Sequence, residues 1–392
     1  MKNLDRTIDY WFYLEIYTYV SINEKVILLY NTLDGSHIEV KNLLIIDLVK
    51  NIYNPINGGV ILLSGNMLQN NVIYLFITKV LSFYMGDVIE VSLSFSKPTQ
   101  ILPLLNLLSN FKKSGNIDDN IIENKVMMYV SDISLIIDSK IFDANFFNLL
   151  LNFSMLIPST IKFNLLLNDF INNNNIVELI TFTEKIHFTN KNIFIRYSSV
   201  CSNVIMGYEM KYNVLIDFPL KRKFFKHALY ILNDKKIDFK MIFLIASISD
   251  YKEAIELVKQ FDIEKYEIKP IFNKSNIDFF KQNIYMSRSD IFNDVISIRE
   301  IFAHQVLNTN DFGKLTIKTN GNVYANIHFH PLGNIKTHNI QEIIYTELNE
   351  GNSWLRIRSQ APCNNCIYQW LCPSPSDYEI AIGKPNLCHI HS

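Results

Sequence analysis

The chain has 392 residues, 48% of them hydrophobic, and a formal net charge of −1. That length corresponds to two or three domains at ~150 residues each, and the composition is that of a folded chain with sizeable cores. Near-neutral charge excludes a general electrostatic case for nucleic acid or an anionic membrane, and the local cluster Lys221, Arg222, Lys223 and Lys226 reads as a solvated helix face.

The opening, MKNLDRTIDYW, has charged and polar groups where a secretory leader needs an apolar run. The longest helical apolar stretch, VIYLFITKVLSFYM (72–85), carries Lys79 and falls short of the ~20 residues of a membrane span. A soluble, cytoplasmic protein is the expectation. YWFYLEIYTYVSI (10–22) is rich in aromatic and β-branched residues, as strands are. KVILLY (25–30) and SHIEV (36–40) follow as strands, separated by a turn at Asp34-Gly35. LLIIDLVKNIY (43–53) has helical spacing and is stopped by Asn-Pro and Gly58-Gly59. A short strand at 60–63 and a helix over about 68–85 ending at Gly86 complete a winged-helix-like outline.

Strand candidates then recur: VMMYV (126–130), IKFNLLL (161–167), NIFIRY (192–197), NVLIDF (213–218), FKMIFLIA (239–246) and YEIKPIF (266–272). Their near-continuous apolar runs suit parallel strands covered on both faces. The clearest intervening helix is YKEAIELVKQF (251–261), with Asp250 as N-cap. Repeated βα units predict an α/β fold with a partial barrel of about six strands, reactive groups lying at the C-terminal strand ends. Asp217 and Glu267, on or beside these strands, read as surface or structural groups. INNNNI (171–176) reads as a composition bias.

GKLTIKTNGNVYANI (313–327) predicts a hairpin turning at Asn320-Gly321, and a helix is expected from about 339 to 350. The tail holds four of the five cysteines: Cys363-x2-Cys366, Cys372 after five further residues and Cys388 after fifteen more. Crowding of this kind points to metal binding rather than to a disulfide framework. Four thiolates suit a tetrahedral zinc ion or a cubane iron–sulfur cluster, and Pro373, Pro375 and Pro385 stiffen the connecting loop. His389 and His391 adjoin the last cysteine and read as a polar chain end, with replacement of one ligand in a zinc site as the alternative; Cys201 reads as a buried small side chain. No phosphate loop, HExxH or nucleophile elbow is present.

This tail resembles a SPASM domain, the cluster-binding extension of many radical SAM peptide-modifying enzymes. The resemblance assigns Cys363, Cys366, Cys372 and Cys388 to one auxiliary [4Fe–4S] cluster. The other cluster's positions depart from the pattern: Gly321-x4 lands on Asn326, and Cys372-x3 lands on Ser376. A radical SAM core carries C-x3-C-x2-C after its first strand, yet SDISLIIDSKIFDANFF (131–147) contains no cysteine, and no Gly-Gly-Glu follows LLLND. With IYQWLCPSPSDYE and GKPNLC, the combination resembles the pseudo-radical-SAM proteins of GG-Bacteroidales peptide natural-product systems. That resemblance implies three parts: a peptide-recognition element over residues 1–95, a degenerate partial (β/α)6 barrel over 96–310 and a SPASM domain over 311–392. It also implies a precursor peptide with a Gly-Gly leader, a genuine radical SAM partner, and no S-adenosylmethionine bound here. The leader would add to the third strand, SHIEV, beside the helix at 68–85. The function expected is a non-catalytic maturation factor; an iron–sulfur electron-transfer component and a zinc-stabilised binding protein are the alternatives.

Overall fold

The structure, a computed structural model, describes residues 4–101, 126–137, 144–155, 157–167, 179, 181–200, 210–350 and 352–390. Elements in chain order are β1 (Tyr10–Leu14), β2 (Thr18–Ile22), β3 (Ile27–Asn31), β4 (His37–Val40), α1 (Leu43–Ile52), β5 (Val60–Leu63), α2 (Asn71–Ser82) and β6 (Gly86–Glu90). The run at 10–22 is two strands, not one. At the break, Glu15 N–H donates to Met85 O and Thr18 N–H to Glu15 O, which turns the chain. β1 pairs antiparallel with β5 and β6, while β2, β3 and β4 form a separate antiparallel sheet. The turn before β4 uses Gly35 at φ 77° and the Asp34 carboxylate, which accepts from Ser36 N–H. Phe12, Leu29, Ile45, Val49 and Ile77 share one apolar core between these sheets and the two helices.

The middle of the chain builds the main sheet: β7 (Asp132–Ile137), α3 (Ala144–Met155), β8 (Lys162–Leu167), β9 (Asn190–Arg196), β10 (Lys211–Asp217), α4 (Arg222–Asp234), β11 (Phe239–Ile245), α5 (Ile248–Gln260) and β12 (Tyr266–Pro270). Each of β8 to β12 lies parallel beside its predecessor, so that β7 to β12 are six parallel strands in sequence order. Two expectations change. VMMYV is a 3₁₀ turn, not a strand, and the first strand is DISLII, in which Ile133, Leu135 and Ile137 are buried alternately. Its start is fixed by Ser131 and Asp132 N–H groups, both donated to Gly313 O. Asp250 is not the N-cap of α5; Ser247 is, accepting from Asp250 N–H, while the Asp250 carboxylate takes Ala246 N–H at 2.8 Å.

After β12 come α6 (Ile277–Asn283), α7 (Ile298–Val306), β13 (Lys314–Lys318), β14 (Asn322–Tyr324), β15 (Gly333–Asn334), α8 (Ile340–Glu350) and α9 (Asp377–Ile382). β13 lies parallel beside β7, and β14 and β15 continue antiparallel, giving a nine-stranded, mostly parallel sheet. The β13–β14 turn falls at Asn320-Gly321 as expected. Gly321 has φ 88°, and a Cβ there would lie 2.7 Å from Asn334 Oδ1, so only glycine fits without displacement. Among the described residues no helix is long and apolar enough to cross a membrane.

Candidate metal centre

The cysteine tail is shaped by tight turns. Residues Cys363–Asn365 form a 3₁₀ turn in which Cys366 N–H donates to Cys363 O at 3.0 Å. One turn further on, Cys372 N–H donates to Tyr368 O at 3.0 Å. Cys388 is brought back from sixteen positions away by a β-bridge to Met286: Met286 N–H donates to Leu387 O and His389 N–H to Met286 O. All four cysteines consequently line one small cavity of about 20 Å³, with Arg358 and Asn386 in its wall.

Burial dominates the electrostatics. It pushes the Cys372 thiol up to about 12 and the Cys366 thiol up to about 11, and raises Cys363 as well. The Arg358 guanidinium works against this at each of the three. Arg358 is itself fixed, donating from Nε to Pro373 O at 2.6 Å and from Nη2 to Glu379 Oε1 at 3.0 Å. Asn386 Nδ2 donates to Cys388 Sγ at 3.3 Å. The donors are therefore of the right type for a thiolate-bound centre and face a common space beside a cation. All four are free thiols, and among the described residues no three His, Cys, Asp or Glu side chains form a group that would hold a metal ion. A cavity of about 20 Å³ has room for about one water, so a cluster requires its walls to part. The His389 ring packs against Tyr285, centroids 5.7 Å apart. His391 and Cys201 lie outside the described residues.

A second polar group lies near the hairpin, and composition gave no signal of it. Asn326 Nδ2 donates to Asp377 Oδ1 and to Asp311 Oδ2. Asp311 also accepts from Ser353 Oγ at 3.1 Å and from Asn308 Nδ2 at 3.4 Å. Arg356 Nη2 reaches Ser376 O at 3.1 Å, Pro375 O at 3.2 Å and Asp311 at 3.5 Å. Burial, reinforced by Asp377, raises the Asp311 carboxyl above the ordinary aspartate value despite Arg356. Asn326, through its carboxamide, and Ser376, through its carbonyl, thus border the same group by way of Asp377 and Arg356, while the Ser376 hydroxyl donates to Glu379.

The remaining candidates are structural. Asp217 pairs with Arg196 at 3.0 Å and Glu267 with Lys240 at 2.7 Å, each side chain more than a third exposed; such pairs contribute about 0–1 kcal/mol. Lys221, Arg222, Lys223 and Lys226 are exposed at the start of α4. β4 is fastened at its flank: His37 stacks on Phe292 at 3.7 Å, and Glu39 accepts from Arg288 Nη2 at 2.7 Å and from the Tyr368 hydroxyl.

No family model matches the chain, and no curated protein matches it. Among solved structures the chain is similar to hexahistidine-tagged anSMEcpe with bound AdoMet, with a TM-score of 0.43 and 11% identity, over 62% of this chain and 84% of that one. A likeness of that degree carries no argument about what this chain does.

Proposed function

We propose that this chain is a non-catalytic accessory protein in the maturation of a ribosomally made peptide. In this reading residues 1–95 form a winged-helix-like element that binds the precursor's Gly-Gly leader. Residues 96–310 form a degenerate radical-SAM-like barrel, and residues 311–392 form a SPASM domain. A separate radical SAM enzyme carries out the chemistry.

The observation that carries the reading is an agreement between pattern and place. The two positions where a two-cluster pattern has cysteine and this chain does not, Asn326 and Ser376, border one hydrogen-bonded group, Asn326 joining it through its carboxamide and Ser376 through its carbonyl, which accepts from Arg356, while the Ser376 hydroxyl donates to Glu379. The four cysteines that the pattern gives to the other cluster share a different cavity. Sequence supplies the rest. Cleavage of S-adenosylmethionine on a cluster needs three thiolates that leave one iron open, and no cysteine occurs from residue 1 to residue 200. Cys363, Cys366, Cys372 and Cys388 would hold one [4Fe–4S] cluster, which supplies an electron-transfer centre or a cross-link among loops. Arg358 would offset the charge of the thiolates, and its bonds to Pro373 O and Glu379 hold it in position to do so.

Two measurements test this. Protein reconstituted anaerobically is expected to carry about 4 iron per chain and no zinc, and Cys366→Ser to lose that iron; stoichiometric zinc instead would overturn the cluster assignment. Co-expression of precursor and radical SAM enzyme is expected to give modified peptide only when this chain is present. Product formed equally well without it, or 5′-deoxyadenosine released by the purified chain with reductant, would overturn the accessory role.

A further inference from the structure

A groove of about 610 Å³ opens between the β2–β3 hairpin and the turn that carries Cys363 and Cys366. Its volume is within the range of sites that take a ligand. One wall is Ser21 to Lys25; the other holds Asn364, Asn365 and Gln369; Tyr19 and Trp370, both buried, line it as well. Cys366 and Gln369 line both this groove and the cysteine cavity, so a single layer of side chains separates the two.

β2 lines this groove from Tyr19 to Ile22, and at the hairpin tip Asn23 Nδ2 donates to Asn365 O on the far wall at 3.4 Å. Asn23 N–H donates to Val26 O at 3.0 Å, closing the hairpin. Bonded and non-bonded pairs alternate along an antiparallel ladder. Ser21 and Leu28 are therefore a bonded pair, and Ile22, opposite Ile27, turns its N–H and C=O to the outer edge. Among the described residues no strand pairs with β2 on that side, and Ile22 is half-buried in the groove wall. Asn364 and Asn365 are exposed, and each carboxamide carries donors and an acceptor.

These groups define the occupant. Glu24 and Lys25 are the charged residues of the lining, and they cancel. A charged ligand would find no net opposite charge there, and an apolar one would leave the carboxamides unpaired. Uncharged polypeptide matches on both counts, since its backbone alternates donors and acceptors. We propose that this groove seats an extended, uncharged polypeptide segment, paired through its backbone with Ile22, Asn364 and Asn365 and lying against Cys366. The inference rests on the peptide-maturation reading and assigns the seat of its peptide, at β2 rather than at β4.

Full-length protein would be irradiated with a capped dodecapeptide of Gly, Ser, Asn and Val bearing one benzoylphenylalanine, alongside a twin with two Lys. Crosslinks are expected within Ser21–Lys25 and Asn364–Gln369. Asn364→Ala/Asn365→Ala, at exposed positions, is expected to weaken binding about ten-fold with an unchanged circular dichroism spectrum. Crosslinks confined to other surfaces, undiminished binding by the double variant, or equal capture of the Lys twin would overturn the proposal. Absence of binding by either peptide would overturn it too. The accessory role is judged separately by product formation in co-expression, so the two fail independently.

Discussion

Asp311 has few alternatives to the state it occupies. It is buried, faces Asp377, and is bonded to Asn326 and Ser353. A carboxyl raised in the folded state holds its proton more tightly there than in the unfolded chain. Its contribution to stability is therefore complete below the ordinary aspartate value of about 3.9 and is lost as pH rises through the raised value. Thermal unfolding followed from pH 4 upward is expected to show this loss, and Asp311→Asn to flatten the slope. At this scale the four tail cysteines were legible because Cys-x2-Cys is a local spacing with a known chemical use. Asp311, Arg356 and Asp377 were not, because single acidic and basic residues are common and only the fold makes them meet. The departures Asn326 and Ser376 were legible as departures; their proximity was not.

Among the elements, β4 has the most consequential attachment. Its Glu39 joins Arg288 and the Tyr368 hydroxyl, connecting the N-terminal sheet to the cysteine tail. Burial, with Glu39 next, pushes the Tyr368 hydroxyl up to about 12, consistent with a phenol that keeps its proton to donate. Tyr368→Phe deletes that bond and is expected to cost about 1–2 kcal/mol in urea unfolding. It is also expected to speed hydrogen exchange at His37–Val40 more than in β7–β12. The strands of the main sheet could be read from apolar runs, since strands covered on both faces need such runs. VMMYV misled for the same reason: it is apolar, but the segment that pairs with β8 and β13 is DISLII, whose alternation is half polar. The division of 10–22 between β1 and β2 depends on the Met85 carbonyl, about seventy residues away.

Across the whole molecule, Trp354 holds the hairpin region to the end of α8. It is fully buried, donates from Nε1 to Lys314 O at 3.0 Å, and accepts Asn308 N–H at its carbonyl. The buried Glu347 carboxylate accepts Ser353 N–H at 2.8 Å and Trp354 N–H. Trp354→Ala is expected to cost about 3–5 kcal/mol in chemical denaturation, a loss large against the total stability of an ordinary domain. A smaller cost would mean that the packing of Trp354 on Phe312, centroids 5.3 Å apart, contributes less than its burial implies.

Sequence by itself determined the strands β8 to β12 of the parallel sheet, the hairpin turn at Gly321, the four thiol donors and the lack of cysteine in the first 200 residues. Each of these is a property of neighbouring residues or of composition: periodicity, a φ that only glycine adopts freely, a short ligand spacing. Tertiary structure alone decided that Cys388 returns to the other three cysteines across the bridge to Met286, that Asn326 lies beside Asp377, and that β2 faces the cysteine turn across a groove. These pairings join residues tens to hundreds of positions apart. They are selected by the burial of shared apolar surface, and no local pattern encodes which distant partner that surface will find.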